Sequence, residues 1–345
     1  CTFGHHQGTR PAREVTRRCI ESYRSQRPAL VMRKFAALAL LLALSGCSAQ
    51  TPAPSLTPVD LKYCAVSDAA GYNDDSLNRS VYAALQQLKV QTGAAVSAVE
   101  VSDKLTAATA IQKLVAANCN VVVTSGSQLV NATLAAAKKN SSVRFYSVSD
   151  SVSAGVSTAN YSALTFNIFQ AAYAAGYLAA ATSEASPLPN PQFVNVIDKL
   201  KTSTSKNASS AFVLGVTRYN SANKKEIPVT ATNVDRGEAI VFGIAGNAKQ
   251  LGLSVSNSSQ LPRSVIGFGR DWYLDVRNKD MKNTILTSVF RIDAIGKVVD
   301  AVVNNQSSQH FDLSNNGVGL ADAHDVHWPI GFNREMSQMI KDFQD

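Results

Sequence analysis

From Leu61 onward, short apolar runs alternate with longer stretches that carry a helical period. "LKYCAVSD" (Leu61–Asp68) is dense in apolar residues over the length of a strand and predicts one. Ser76–Gln91 spaces Leu77, Val81, Leu85 and Leu88 at helical intervals, which predicts an amphipathic helix. "AVSAVEV" (Ala95–Val101) returns to a strand pattern, and Thr106–Ala117, with Ile111, Leu114 and Val115, to a helical one. "NVVVTSG" (Asn120–Gly126) is apolar on both faces, as a central strand of a parallel sheet is. Gln128–Lys139 predicts a helix and "VRFYSVSD" (Val143–Asp150) a strand. This strand–helix succession predicts an α/β architecture built on a doubly wound parallel sheet. Ligands of such sheets bind beyond the carboxyl ends of the strands. Those ends carry Ser67, Asp68 and Ala69, then Ser125 and Gly126, then Asp150.

A second lobe follows. "SALTFN" (Ser162–Asn167) reads as a crossing strand, and "IFQAAYAAGYLAAATS" (Ile168–Ser183) as a helix whose small residues permit close packing. After a Pro-rich break at Ser186–Asn190, "AFVLGVTR" (Ala211–Arg218), "EIPVTAT", "EAIVFGIAG" and "RSVIGFG" (Arg263–Gly269) predict strands. A parallel crossover needs at least about ten residues. Little room for one remains between Val213 and Ile240, so the second lobe is expected to be reduced. "TILTSVFR" (Thr284–Arg291) reads as the strand returning to the first lobe. Helices are predicted at Asp293–Asn304 and near Glu335–Phe343. The expected boundaries are 61–165 for the first lobe, completed by about 290–345, and 166–289 for the second, with a cleft between them.

The N-terminal pattern is of another kind. "MRKFAALALLLALSGCSAQ" (Met32–Gln50) places two basic residues before an apolar run and then Leu44-Ser45-Gly46-Cys47. The run is about ten residues, half of what spans a bilayer, and reads as an export signal. Its end resembles the bacterial lipobox, which implies a lipidated Cys47. Residues 1–31 are expected to be an upstream, non-native extension, 32–46 the signal peptide, and 47–60 the lipidated cysteine with a Ser/Thr/Ala/Pro-rich tether. The expected location is the extracytoplasmic face of the cell membrane.

This reading disposes of most of the charge. Of the formal +8, residues 1–46 carry eight Lys or Arg against two Glu, so the remainder is near neutral. Without a basic stripe, nucleic acid is not expected as a partner. Beyond Cys47, Cys64 and Cys119 remain beside predicted strands; an oxidising compartment favours a disulfide, with two buried thiols as the alternative. No GxGxxG, GxxxxGK[ST] or GxSxG occurs, so binding without chemistry is expected, with no cofactor. An exported, tethered, two-lobed α/β chain has the layout of a solute receptor, in which lobe closure is the signal passed to a permease.

Several segments resemble the basic membrane protein (BMP) family of lipoproteins, in family order from about Leu61 to Leu320. "DAAGYNDDSLNRSVYAAL" matches its opening motif at Asp68, Gly71, Asn73, Asp74, Ser76 and Asn78. "YAAGYLAA", "VFGIAGNA", "VIGFGRDW", "ILTSVFRID" and "NNGVGL" resemble its later segments. The resemblance implies a two-lobed type I periplasmic-binding-protein-like fold. It also implies the solute-binding component of an ABC importer, with a nucleoside and an ABC permease as partners.

The implied ligand-binding residues are Asp68, Asn73, Asp74, Asn131, Phe166, Asp271, Trp272 and Arg291. Asn131 falls where the family often has Asp, and Arg291 near its lysine. Asp74 has an alternative reading as a helix cap. Leu77 replaces the family's stacking Phe and Gly269 an Asp, which leaves Tyr72, Phe166 or Trp272 to supply a ring. Two other readings stay open. One is a surface lipoprotein or antigen that has lost nucleoside binding. The other is a metal-binding lipoprotein using His324 and His327 beside Asp322 and Asp325.

Overall fold

The computed structural model describes residues 61–344 except 75, 151–157, 187–192, 233, 235–237, 245–262 and 278. The export signal, Cys47 and the tether lie outside the described residues. The rest forms two six-stranded sheets with helices packed on them.

The first sheet is built from β1 (Lys62–Ser67), β2 (Ala95–Glu100), β3 (Val121–Ser125), β4 (Arg144–Ser149), β5 (Tyr161–Phe166) and β11 (Gln309–Phe311). Its order is β11-β5-β4-β3-β1-β2 and every pairing is parallel. Helices α1 (Leu77–Thr92), α2 (Ala107–Ala116) and α3 (Val130–Lys139) are the crossovers. α1 buries Leu77, Val81, Leu85 and Leu88, the stripe its sequence spacing predicts. Gly93 ends that helix at φ +73°, returning its N–H to the Lys89 carbonyl.

The second sheet holds β6 (Val194–Asp198), β7 (Val229–Thr230), β8 (Ile240–Ile244), β9 (Ser264–Gly269), β10 (Ile285–Arg291) and β12 (Val318–Leu320), in the order β12-β10-β9-β8-β6-β7. Only β12 runs antiparallel, against β10. α4 (Ile168–Ala185) and α5 (Ser203–Asn223) pack on each other and on this sheet. Short helices α6 (Trp272–Asp275) and α7 (Lys279–Lys282) link β9 to β10. α8 (Ala294–Val303) packs on α1 of the first lobe, and α9 (Phe332–Asp342) on α4 of the second.

The chain therefore passes between the sheets three times: after β5, after β10, and between β11 and β12. The α/β class and the two doubly wound lobes follow the sequence pattern, but four local readings change. "AFVLGVTR" is not a strand; it lies inside α5. Thr202 caps that helix, accepting from the Ser205 N–H at 3.1 Å. Ser205, Ala208, Phe212, Gly215 and Val216 are its buried, helically spaced face. A short window of β-branched and aromatic residues hid that longer period. β6 lies between the Pro-rich break and α5 and completes the sheet. With α5 as its crossover, the second lobe is not reduced. "SALTFN" stays in the first sheet as β5. "TILTSVFR" does not return to the first lobe: β10 pairs with β9, Val289 opposite Phe268, and the crossing comes after Arg291.

Cys64 of β1 and Cys119, two residues before β3, form a disulfide with Cα atoms 6.0 Å apart. The two strands are neighbours, so the bond closes one βαβαβ unit. Replacing both cysteines by alanine is expected to lower stability by about 2–4 kcal/mol. Urea unfolding of the oxidised parent and the double variant measures it; equal midpoints would reject that contribution.

Candidate functional site

The carboxyl ends of strands from the two sheets meet at a small cavity of about 40 Å³. The first lobe brings Asp68 from the end of β1, Gly126 from the end of β3, Asp150 from the end of β4, and Asp74, Ser76 and Leu77 from the start of α1. The second lobe brings Leu200 and Thr202 from the β6–α5 turn, Thr204 from the first turn of α5, Phe268 from β9 and Arg291 from the end of β10. This is where open α/β sheets bind ligands.

Asp68 is the centre of a network. Its Oδ1 accepts from the Ala70 N–H at 3.0 Å and from Asn78 Nδ2 at 2.7 Å. Its Oδ2 accepts from Gln128 Nε2 at 2.7 Å. Asn78 Oδ1 in turn accepts from Ser125 Oγ at 2.5 Å. Gly126 sits against this carboxylate at φ +116°, where a Cβ would lie 2.7 Å from Asp68 Oδ2. Only glycine satisfies both the conformation and the contact.

Asp74 caps α1. Oδ1 accepts from the N–H groups of Ser76 and Arg79, and Oδ2 from that of Asn78, all within 3.0 Å. Burial pushes its carboxyl up from the ordinary value, against the pull of these three bonds and of Arg291. Of its two sequence readings the capping role is the one in place, and Asp74 also lines the cavity. Asp74→Ala is expected to cost about 1–2 kcal/mol in urea unfolding. A loss no larger than that of an exposed-surface alanine variant would reject the cap.

Arg291 reaches back across the cleft. Its Nε and Nη2 donate to the two oxygens of Asp150, at 2.7 and 2.6 Å, and its Nη1 donates to Ser76 Oγ at 3.1 Å. Both side chains of the pair are only 3% exposed. The contact is bidentate and joins the second sheet to the first.

The five other residues expected at the site lie elsewhere, as does Tyr72. Asn73 and Asn131 are exposed and do not line the cavity. Phe166 is not a ligand platform: it is fully buried where the chain leaves β5, stacked on Phe311 with centroids 4.7 Å apart. Trp272 is likewise buried, its indole N–H donating to the Phe268 carbonyl at 3.2 Å. Asp271 caps α6, accepting from the Tyr273 N–H, and binds His324 Nε2 at 3.0 Å. Tyr72 donates its hydroxyl to the Val99 carbonyl at 3.1 Å, on the β2 side of the first lobe.

His324 is further held by stacking on Tyr273 at 3.8 Å, while His327 is exposed. Among the described residues, no three His, Cys, Asp or Glu side chains are grouped to hold a metal ion. None of the helices described there is long and apolar enough to cross a membrane.

Nothing in the sequence marks Leu200, Thr202, Thr204 or Phe268 as site residues: Thr202 and Thr204 lie where α5 begins, and Phe268 lies near the carboxyl end of β9. Among the described lining residues, Leu77 and Phe268 are apolar walls, Asp68, Asp74 and Asp150 supply carboxylates, and Arg291 supplies the guanidinium.

A model of the family described as Bmp, ABC transporter substrate-binding protein PnrA-like, matches residues 62–239. The chain belongs to this family. Its members are substrate-binding transport proteins rather than enzymes. Among curated proteins, no sequence matches significantly. Among solved structures, the fold is similar to an ABC transporter solute-binding protein from Aeropyrum pernix K1. The TM-score is 0.62 and the identity 14%, over 82% of this chain and 86% of that one. A solute-binding protein from Conexibacter woesei DSM 14684 gives 0.56 and 17%, over 82% and 96%. A transcriptional activator from Bacillus halodurans gives 0.58 and 16%, over 82% and 97%. These likenesses are of fold. With the family match they identify a type I periplasmic-binding-protein-like architecture, consistent with a solute-binding role.

Proposed function

We propose that this chain is the solute-binding lipoprotein of an ABC importer, held on the extracytoplasmic face by a lipid on Cys47, and that it takes a nucleoside between its lobes. The observation that carries the solute class is the cavity wall. Its described residues include three carboxylates and one guanidinium that is already paired, with Leu77 and Phe268 as apolar surfaces. Such a wall accepts hydrogen bonds and disfavours anions, so it suits a donor-rich solute with an apolar face for the side chains. A nucleoside, with ribose hydroxyls and a base, has that composition.

The cavity of about 40 Å³ is far below the roughly 300 Å³ or more that holds a small-molecule ligand. Binding therefore requires the lobes to part and close again about the three crossings. The crossing after β10 contains Asp293 at φ +49°, a left-handed conformation in which it caps α8, accepting from the Gly296 N–H.

Isothermal titration of the chain from Ser48 onward with purified nucleosides tests the reading. Heat with a micromolar midpoint for at least one nucleoside is expected, and Asp68→Ala should weaken it by roughly tenfold or more. Absence of heat with every nucleoside, on folded protein freed of carried-over solute, would reject it. That outcome would favour a surface lipoprotein that kept the fold and lost the ligand, in line with Leu77 at the stacking position. For the anchor, Cys47→Ser is expected to move the protein from the membrane fraction to the soluble one.

A further inference from the structure

We infer that Asp150 sets the charge of the solute this cleft accepts, by occupying Arg291 as a resident anion. The inference rests on the reading of the cleft as the solute site, and it adds the chemical class that the site turns away. Arg291 supplies the guanidinium of the described cavity wall. An anionic solute, a phosphate or a carboxylate, would seek its fork of N–H donors. The side-on face of that fork is filled: Nε and Nη2 bind both Asp150 oxygens, and Nη1 donates to Ser76.

To take the side-on Nε/Nη2 face of Arg291 an anion must displace Asp150. The displaced carboxylate would be left buried and unpaired, on a wall that already carries Asp68 and Asp74. Removing one member of a buried pair is far costlier than forming the pair is favourable. The added charge would also repel the incoming anion. A neutral donor meets neither obstacle. Specificity then comes from the penalty imposed on the wrong ligand rather than from a stronger contact to the right one. Asp150 is thus a positioning residue: it acts on the solute through Arg291.

The substitution Asp150→Asn is nearly isosteric. It removes the anion, leaves one carbonyl for the guanidinium and opens the rest of the fork. The probes are inorganic phosphate and a nucleoside with its 5′-monophosphate, titrated into parent, Asp150→Asn and Asp150→Asn/Arg291→Gln. The parent is expected to bind no phosphate and to prefer the nucleoside to the monophosphate. Asp150→Asn is expected to gain phosphate binding and to shift the preference toward the monophosphate by roughly tenfold or more. The double variant should lose that gain. A purely structural pair would lose stability in Asp150→Asn without acquiring any anion site.

Phosphate binding by the parent equal to that of Asp150→Asn, or by neither, would overturn the inference. The phosphate arm does not depend on nucleosides, so a parent that ignores every nucleoside fails the proposed function and leaves this test intact. If Asp150→Asn does not fold, Asp150→Ala refolded in formate replaces it. Formate should raise its melting temperature saturably and have no effect when Arg291→Gln is added. No rise with formate would overturn the inference equally.

Discussion

Gly176→Ala is expected to prevent the second lobe from folding. Gly176 on α4 and Gly215 on α5 face each other in a reciprocal contact of backbones. A Cβ on Gly176 would lie 1.9 Å from the Phe212 carbonyl oxygen, and one on Gly215 2.0 Å from that of Tyr173. In both cases the obstacle is main chain, so no rotamer change relieves it. The helices would have to separate by more than an ångström along their whole contact. Packed beside that contact, Phe212 stacks on Phe242 of β8 at 4.6 Å. Overpacking of a tight core costs about 1–3 kcal/mol where side chains give way. With backbone on both sides the cost is expected to exceed about 3 kcal/mol, a large share of the stability of a domain.

The sign makes the test sharp. In a helix free of neighbours, glycine to alanine stabilises by about 1 kcal/mol. A thermal melt followed by circular dichroism, with soluble yield, decides between them. A Gly176→Ala protein as stable as the parent would show that the two helices do not approach this closely.

Arg291→Met is expected to cost about 3–5 kcal/mol in urea unfolding, because it leaves the Asp150 carboxylate buried without its partner. The pair also ties the end of β10 in the second sheet to the end of β4 in the first, so both lobes lose a common fastening. Arg291→Lys should fall between parent and Arg291→Met, since an ammonium keeps the charge and loses the bidentate geometry. Adding Asp150→Leu to Arg291→Met should recover much of the loss, because the uncompensated charge goes with it. If the single and double variants are equally destabilised, the cost lies in packing rather than in the orphaned charge.

Alternating burial in the first lobe was legible in the sequence because each of its elements shows its period over its own length. The Leu77–Val81–Leu85–Leu88 stripe and the apolar run of β3 are buried in the structure as the pattern predicts. The second lobe was less legible. α5 carries a run of residues that favour strands, and its helical face emerges only over its full 21 residues. Its helix form depends on a tertiary partner, since Gly215 makes sense only against Tyr173 of α4. Trp272 and Phe166 were expected as replacement rings because they lie near strand ends, but whether a ring at a strand end faces the cleft or the core is set by the neighbouring layers. Trp272 fills space over Gly267, where a Cβ would come within 2.6 Å of the indole.

By itself the sequence determined the α/β class, the two lobes, and the strand ends that carry Asp68, Gly126 and Asp150. These depend on local periodicity and on chain direction through a parallel sheet. Only the tertiary structure decided what those residues face. Asp150 and Arg291 stand 141 positions apart, on strands of different sheets, and nothing in either neighbourhood encodes the pair. Their meeting follows from two sheets being joined three times by one chain, which brings the strand ends together where both side chains are buried from water and an unpaired charge is costly.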